Sequence, residues 1–480
     1  MTAVSALLAA LYWCVGLWGL VSRRPVLLYL FFASIPFGSF AVVPPEATGG
    51  LTILPASATA VLLVMKTMSD RATALTALSS ALDLRRLGLL TAFLSVAVVT
   101  TLFMPRLFAG EVLIIPMRGD LSNPAPLFPT RQNLSQLAYL MLSVLLVFTF
   151  AQLLKSDRLR QAALHGLVLA ASLAVITGAL DFAAQYLPLA PLLEPFRTAT
   201  YTLHVDVELL GGKRVVGLMP EASSFGSLCV SMLCLLYFLR RGIRNDRVRD
   251  LYAPPLILLL VLFAWLSTSS ATYLGLALFF LVALVEWTVR LLERRYSPLR
   301  RRHLGAEFWA VVGGLAVVVI VALAKPTVLE GVSEALDRMV FQKAESSSFA
   351  ERNMWTAVSL NALVESYGFG VGIGGTRSSN RVVSMFSNAG VIGGLLYFAF
   401  FIQSLCRRAA PGDEEGRVLI SAVRYSIVPP FLVGLLIGTS PNFGDIGAFR
   451  FGLLTAIGLG GMYAFHTRRT PGAIQPLAGR

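Results

Sequence analysis

The chain has 480 residues, of which 56% are apolar and only 14% charged, and its mean hydropathy is +0.72. A soluble fold of this size would leave too much apolar surface in water, so a soluble globular protein is excluded. A net charge of +14 with a pI near 10.0 does not make the chain a nucleic-acid binder, because basic residues on a membrane protein mark its cytoplasmic side.

One bilayer crossing takes roughly 20 apolar residues. In chain order, apolar runs lie near 4–20, 25–43, 52–66, 87–104, 134–154, 162–182, 223–239, 253–267, 271–289, 307–324, 382–404, 418–438 and 448–466. Lipid admits only helices or closed barrels as spanning structures, and runs this long are helical. The expectation is therefore an all-α, polytopic integral membrane protein of about 12–13 transmembrane helices. The first run follows an uncharged start and precedes Arg23 and Arg24, the reverse of a cleavable signal peptide, so it reads as a span with the N-terminus outside. The run 52–66 is short and holds Pro55, which leaves a re-entrant or surface segment open. Cys14, Cys229, Cys234 and Cys406 are scattered and form no disulfide framework; Cys229 and Cys234 share one run and read as packing residues.

Charge sets the orientation. Dense basic clusters alternate with nearly neutral loops, from Arg23–Arg24 through Lys66–Arg86, Lys155–Arg160, Arg240–Arg249, Arg290–Arg302 and Arg407–Arg417 to Arg468–Arg480. They hold 26 of the 40 basic residues, 11 acidic residues lie on the same side, and the positive-inside rule makes that side cytoplasmic. The opposite side carries three long loops, near 105–132, 183–222 and 325–380. Helical spacing of apolar residues in 329–343 and 351–365 predicts surface helices in the last of these. Four regions follow: an N-terminal transmembrane region (1–160), a central one with outer loop 183–222 (161–324), a large helical periplasmic loop (325–380), and C-terminal helices with a cytoplasmic tail (381–480). No internal repeat marks a transporter.

Candidate chemistry gathers on the outer side. Lys213, Arg214 and Glu221 sit where the span at 223–239 begins; a helix start and guanidinium groups favour phosphate, and a nearby carboxylate is placed to act as a general base. Glu351, Arg352 and Trp355 precede a glycine-rich stretch, Gly368 to Gly375, and then Arg377, Asn380 and Arg381. No strand precedes those glycines and no GK[ST] follows, so they are not a nucleotide loop; they read as backbone that permits close approach to a substrate. Ser267 to Ser270 reads as a helix-packing turn. Arg424 and Arg450 lie inside late spans and must face a partner or polar cavity, with Asp445 a salt-bridge candidate for Arg450, and Asp181 poses the same question. His204, Asp206 and Glu208 read as solvated loop. The four histidines do not cluster, so no metal is expected.

These residues resemble the O-antigen ligase and Wzy-type polysaccharide polymerase superfamily over roughly 160–466. The resemblance is carried by Arg214, Gly217 and Pro220-Glu221, the turn at 267–270, Arg352 and Trp355, the run Gly368 to Gly374, Asn380, and Asn388-Ala-Gly390-Val-Ile-Gly393. It implies a GT-C-type membrane glycosyltransferase acting outside the cytoplasmic membrane on undecaprenyl-pyrophosphate-linked glycans, with no nucleotide sugar, metal or other cofactor. Partners would be those lipid-linked glycans, membrane lipid and other assembly proteins such as a flippase or chain-length regulator, and not nucleic acid. Arginines must then compensate the leaving pyrophosphate. Arg214, Arg352, Arg377 and Arg381 are the expected ligands, Glu221 the candidate base, and Lys213, Trp355, Asn380 and Arg450 further substrate contacts. The ligase branch places a His before the position of Asn380, where this chain has Arg377-Ser-Ser, and an Arg where it has Ala271. The expectation is therefore a Wzy-like polymerase, with O-antigen ligase and a lipid-linked oligosaccharide transporter as alternatives.

Overall fold

A computed structural model describes residues 2–119, 121–209, 212–293, 298–324, 347–439 and 441–469. Its helices are α1 (Ala3–Val21), α2 (Val26–Ser34), α3 (Pro55–Met68), α4 (Arg71–Leu82), α5 (Gly88–Leu107), α6 (Arg131–Leu153), α7 (Asp157–Ala183), α8 (Ala222–Leu239), α9 (Ala253–Leu266), α10 (Ser270–Leu292), α11 (Leu304–Ala324), α12 (Ser347–Glu365), α13 (Arg381–Leu405), α14 (Glu414–Ile437) and α15 (Gly444–Arg469). The protein is an all-α, multi-pass membrane protein. Among the described residues nine helices are long and apolar enough to cross a bilayer: α1, α5 to α8, α9 with the turn before it, α10, α13 and α14. The predicted helix at 329–343 lies outside the described residues, while 351–365 forms most of α12.

Two apolar runs do not make full spans. The run 25–43 is helical only to Ser34, because Pro36 has no amide proton for the next helical bond. The chain beyond it is irregular but buried, and its backbone is satisfied elsewhere. Ser39 N donates to Leu218 O at 2.9 Å, while Ser39 O accepts from Thr198 and Ala199 at 2.9 and 3.0 Å. The run 52–66 becomes α3, a helix of 14 residues with Pro55 at its first position, too short to cross alone. The sequence reading placed 71–82 in a loop; Asp70 caps it as α4 by accepting from Thr73 N at 2.9 Å.

Aromatic rings hold the helices together. Phe31 meets Phe150 at 5.4 Å, Phe32 meets Phe449 at 5.2 Å, and Phe150 meets Phe449 at 5.7 Å, joining α2, α6 and α15 edge to face. Cys229 and Cys234 are fully buried in this core, as packing residues should be.

Helix direction divides the bundle into two ends. One carries the start of α8 at Glu221, the other its finish at Arg240. At the second end, five buried charges close on one another. Arg241 grips Glu286 with two bonds of 2.7 and 3.1 Å, Arg290 reaches Glu286 at 2.9 Å and also pairs with Glu307, and Arg240 reaches Glu307 at 2.5 Å. This network ties α8, α10 and α11 together.

Candidate functional site

At the Glu221 end, Asp181 closes α7 with no exposed surface. Its Oδ2 accepts from the backbone of Val216 at 2.7 Å and of Gly217 at 3.0 Å, and its Oδ1 faces Arg197 at 3.2 Å and Lys213 at 3.6 Å. One buried carboxylate thus fixes the whole turn at 213–217. Gly217 is required there: its φ is +58°, and a Cβ would meet the Phe225 ring at 3.0 Å. Lys213 also pairs with Asp206 at 3.1 Å, so its ammonium is committed to the loop's own carboxylates.

The turn delivers Glu221 to the start of α8. Glu221 is extended (φ −156°, ψ 162°), and its carboxylate accepts from the Ser223 hydroxyl and, at 3.3 Å, from the Ser224 hydroxyl. His204 N donates to Pro220 O at 2.9 Å, and the Tyr201 hydroxyl donates to Gly38 O, so the supporting loop is pinned from both sides. Burial pushes the Tyr201 hydroxyl up to about 12, with Tyr139 adding to the shift, and it remains a donor at neutral pH.

Arg214 points across to the turn between α9 and α10, where its Nε donates to Thr268 Oγ1 at 3.0 Å and to Ser267 O at 3.3 Å. Thr268 has φ +45°, a strained backbone held where it meets the guanidinium. Burial lowers the Arg214 pKa from the ordinary arginine value, and the charges of Glu221 and Tyr273 partly offset this. The Ser267–Ser270 turn is therefore both a packing element, with Ser267 and Thr272 against Gly226, and the partner of Arg214.

From the other side, Arg377 lies over the Trp355 ring, 4.4 Å from its centroid, and Trp355 is fixed by donating to Leu121 O at 2.7 Å. Burial also lowers the Arg377 pKa; Glu221 and Glu351 oppose that shift and Arg352 adds to it. Two segments more than a hundred positions apart, Arg214–Glu221 and Arg352–Arg377, thus meet, with Arg377 in reach of the charges of Glu221 and Arg352.

The glycine run serves the protein's own packing. Gly368, Gly370, Gly372 and Gly374 all have φ between +74° and +83°. Helix α13 breaks at Gly390 (φ +74°, ψ 175°), and the run inserts at the break: Val371 N donates to Ser387 O and Val391 N to Gly368 O, both at 2.8 Å. The close approach foreseen at these glycines is to α13, to Thr101 of α5 and to Gln136 of α6. Asn388 secures the end of the run, accepting from Gly375 N at 3.1 Å and donating to Thr376 O at 3.1 Å. Asn380 is the cap of α13, its carboxamide oxygen accepting from Val382 N at 2.9 Å and Val383 N at 3.1 Å.

Arg381 opens α13 beside a cavity of about 310 Å³ between α8, α10 and α14, which Ser227, Ser231 and Thr439 also line. Gly434 on α14 and Gly438 just past its end make room for it; a Cβ on Gly434 would meet its Nε at 2.7 Å. Arg450 is buried on α15, close enough to Arg381 to feel its charge. Among the described residues its Nε and Nη2 have no hydrogen-bond partner, and it makes no ion pair with Asp445. Arg424 donates instead to the Arg407 carbonyl at 2.6 Å, at the other end of the bundle. Sequence reasoning missed Gly434 and Gly438, whose i, i+4 spacing in an apolar helix is the one available signal.

Among the described residues no group of three or more His, Cys, Asp or Glu is placed to hold a metal ion. The arrangement can bind an anion through several guanidinium groups and accept a proton on Glu221. No protein-family model matches the chain, and no characterised protein matches it at a meaningful level of similarity.

Proposed function

We propose that this protein is a Wzy-like polymerase of the bacterial cytoplasmic membrane, joining undecaprenyl-pyrophosphate-linked repeat units at the periplasmic face, with its C-terminus in the cytoplasm. An acceptor sugar hydroxyl attacks the anomeric carbon of a lipid-linked glycan. The new C–O bond forms as the bond to the pyrophosphate oxygen breaks, the hydroxyl proton passes to Glu221, and undecaprenyl pyrophosphate departs with its charge held by Arg214, Arg352 and Arg377. Aligned donors that meet charge as it develops are the main source of rate in such a step.

The observation that carries the reading is that Arg214, fixed by the Thr268 turn, and Arg377, stacked over Trp355, both lie within electrostatic reach of Glu221 at one end of an apolar helix bundle, with Arg352 beside Arg377. A polyprenyl tail reaches such a site through lipid, and the arginines match its pyrophosphate. Trp355, held flat under Arg377, offers its place to a sugar or to the cation alone. The test is chain growth by the purified protein supplied with lipid-linked repeats. Arg214→Ala and Arg352→Ala should each slow growth by roughly a hundredfold or more; growth at the wild-type rate in both overturns the assignment. Long chains made only when lipid A-core is supplied as acceptor would point to the ligase reaction instead, and flipping without growth to transport.

A further inference from the structure

A second cavity, about 610 Å³, lies at the opposite end of the bundle, remote from Glu221. Arg23, Arg24, Lys66 and Lys155 line it, and its apolar wall is built by Leu27, Leu63 and Leu153. Asp70 is the acid there, and its carboxylate is engaged as the cap of α4, accepting from Thr73 N at 2.9 Å and Thr73 Oγ1 at 2.6 Å. Lys66 donates to Gly19 O at 2.7 Å and Ser22 O at 2.5 Å, holding the end of α1 at the cavity rim. Arg23 and Arg24 form no ion pair among the described residues. Gln152 accepts from Lys155 at 2.6 Å, yet its Nε2 is buried with no hydrogen-bond partner, a donor without an acceptor in the cavity lining.

Helix α4 places this cavity in depth. Thr73 and Thr76 face the cavity, whereas Leu75, Leu78 and Leu82 form a different face and are more than half exposed. The exposed leucines on this helix, next to Arg71, Arg85 and Arg86, set apolar surface beside basic residues at this end of the bundle, as at a lipid headgroup layer. The cavity therefore opens at headgroup level, with cations where a phosphate would sit and leucines where acyl chains would begin.

From this we infer that the cavity binds the phosphate headgroup of an anionic membrane phospholipid, with Arg23 and Arg24 as its principal ligands and Gln152 Nε2 as a donor. A free phosphate would leave the leucine wall unused. Basic pockets between helices on the cytoplasmic side are suited to such lipids.

The test uses the full chain, purified in detergent and stripped of lipid, with thermal unfolding followed as lipid is added. Dioleoyl phosphatidylglycerol should raise the midpoint saturably, while dioleoyl phosphatidylcholine and glycerol 3-phosphate should not. Each basic residue near a membrane surface strengthens binding roughly fivefold. Arg23→Ser/Arg24→Ser, altered at exposed positions that leave folding intact, should therefore need roughly twentyfold more phosphatidylglycerol, and Gln152→Leu a smaller excess. Equal responses to the two lipids, an unchanged response in the double variant, or a matching response to glycerol 3-phosphate would each overturn the proposal. None of these readouts depends on glycan polymerisation.

Discussion

The two ends of the helix bundle treat buried arginine in opposite ways. At the Arg241 end, Arg240, Arg241 and Arg290 are matched to Glu286 and Glu307 through contacts of 2.5–3.5 Å. At the Glu221 end, Arg377, Arg381 and Arg450 form no ion pair among the described residues; a buried Nε without a hydrogen-bond partner occurs at both ends, on these three and on Arg240 and Arg241. Arg240, Arg241, Arg290 and Arg450 are buried, whereas Arg377 and Arg381 are half-buried and meet a smaller desolvation cost. A matched set holds helices together; an unmatched set is stable only because the rest of the fold supports it, and it leaves donors for an anion that arrives from outside. Glutamates match three arginines at one end and none of Arg377, Arg381 and Arg450 at the other, although Arg407 and Arg424 at the first end also form no ion pair among the described residues.

Breaking the matched end should have the largest effect. Glu286→Ala strands Arg241 and Arg290, and removal of one partner from a buried ion network costs about 3–5 kcal/mol. Thermal or denaturant unfolding in detergent measures it, and molecules that remain folded should polymerise normally. Asp181→Asn comes next. It weakens acceptance from Val216 and Gly217 and loses the attraction of Arg197 and Lys213, which should cost about 1.5–3 kcal/mol. Unlike Glu286→Ala it should also slow chain growth, because the turn that presents Arg214 and Glu221 loosens; a variant with reduced stability and an unchanged rate per folded molecule would make Asp181 purely structural. Smallest in stability is Gly434→Ala. Alanine suits a helix better than glycine by roughly 1 kcal/mol, which offsets the crowding of Arg381, so the midpoint should barely move. Chain growth should fall all the same, since the guanidinium is pushed from its place beside the cavity. An unaffected rate would remove Arg381 from the site.

Much of this contrast was legible in the sequence, and the boundary has physical causes. All thirteen apolar runs contain a helix, twelve over most of their length and 25–43 only to Ser34, because lipid offers no competing structure to a long run. The break at Ser34 was not foreseen, although Pro36 is visible, because the irregular stretch that follows is stabilised by Leu218 and Thr198, distant partners that no local pattern shows. Arg214, Glu221, Arg352 and Arg377 stand out in the sequence because charge beside a span is conspicuous, and the fold brings Arg214 and Arg377 within reach of Glu221. The roles of their neighbours were not readable. Lys213 and Asn380 carry the right chemistry for a phosphate or sugar, yet one is engaged by Asp181 and Asp206 and the other caps α13. The glycine run looked like a substrate approach, and its positive φ values are real, but they serve the insertion at Gly390. Glu286, Arg290 and Glu307 entered the sequence reading only as counts on one side of the membrane. Their closure into a network depends on three helices meeting at one depth.

The central claim is that the unmatched arginines at the Glu221 end are held for an anionic lipid-linked ligand. The most direct test compares unfolding of the wild type and Arg381→Met, with and without undecaprenyl pyrophosphate. Arg381 is half-buried, forms no ion pair among the described residues and is hydrogen-bonded to Tyr397, so replacing it by an apolar side chain of similar length should change the stability of the ligand-free protein by no more than about 1 kcal/mol. The wild type should then gain stability as the lipid is added, by about 2.7 kcal/mol at a hundred times its dissociation constant, and Arg381→Met should gain little. A variant that unfolds well below the wild type without ligand, or that responds to the lipid as fully as the wild type does, would contradict the account.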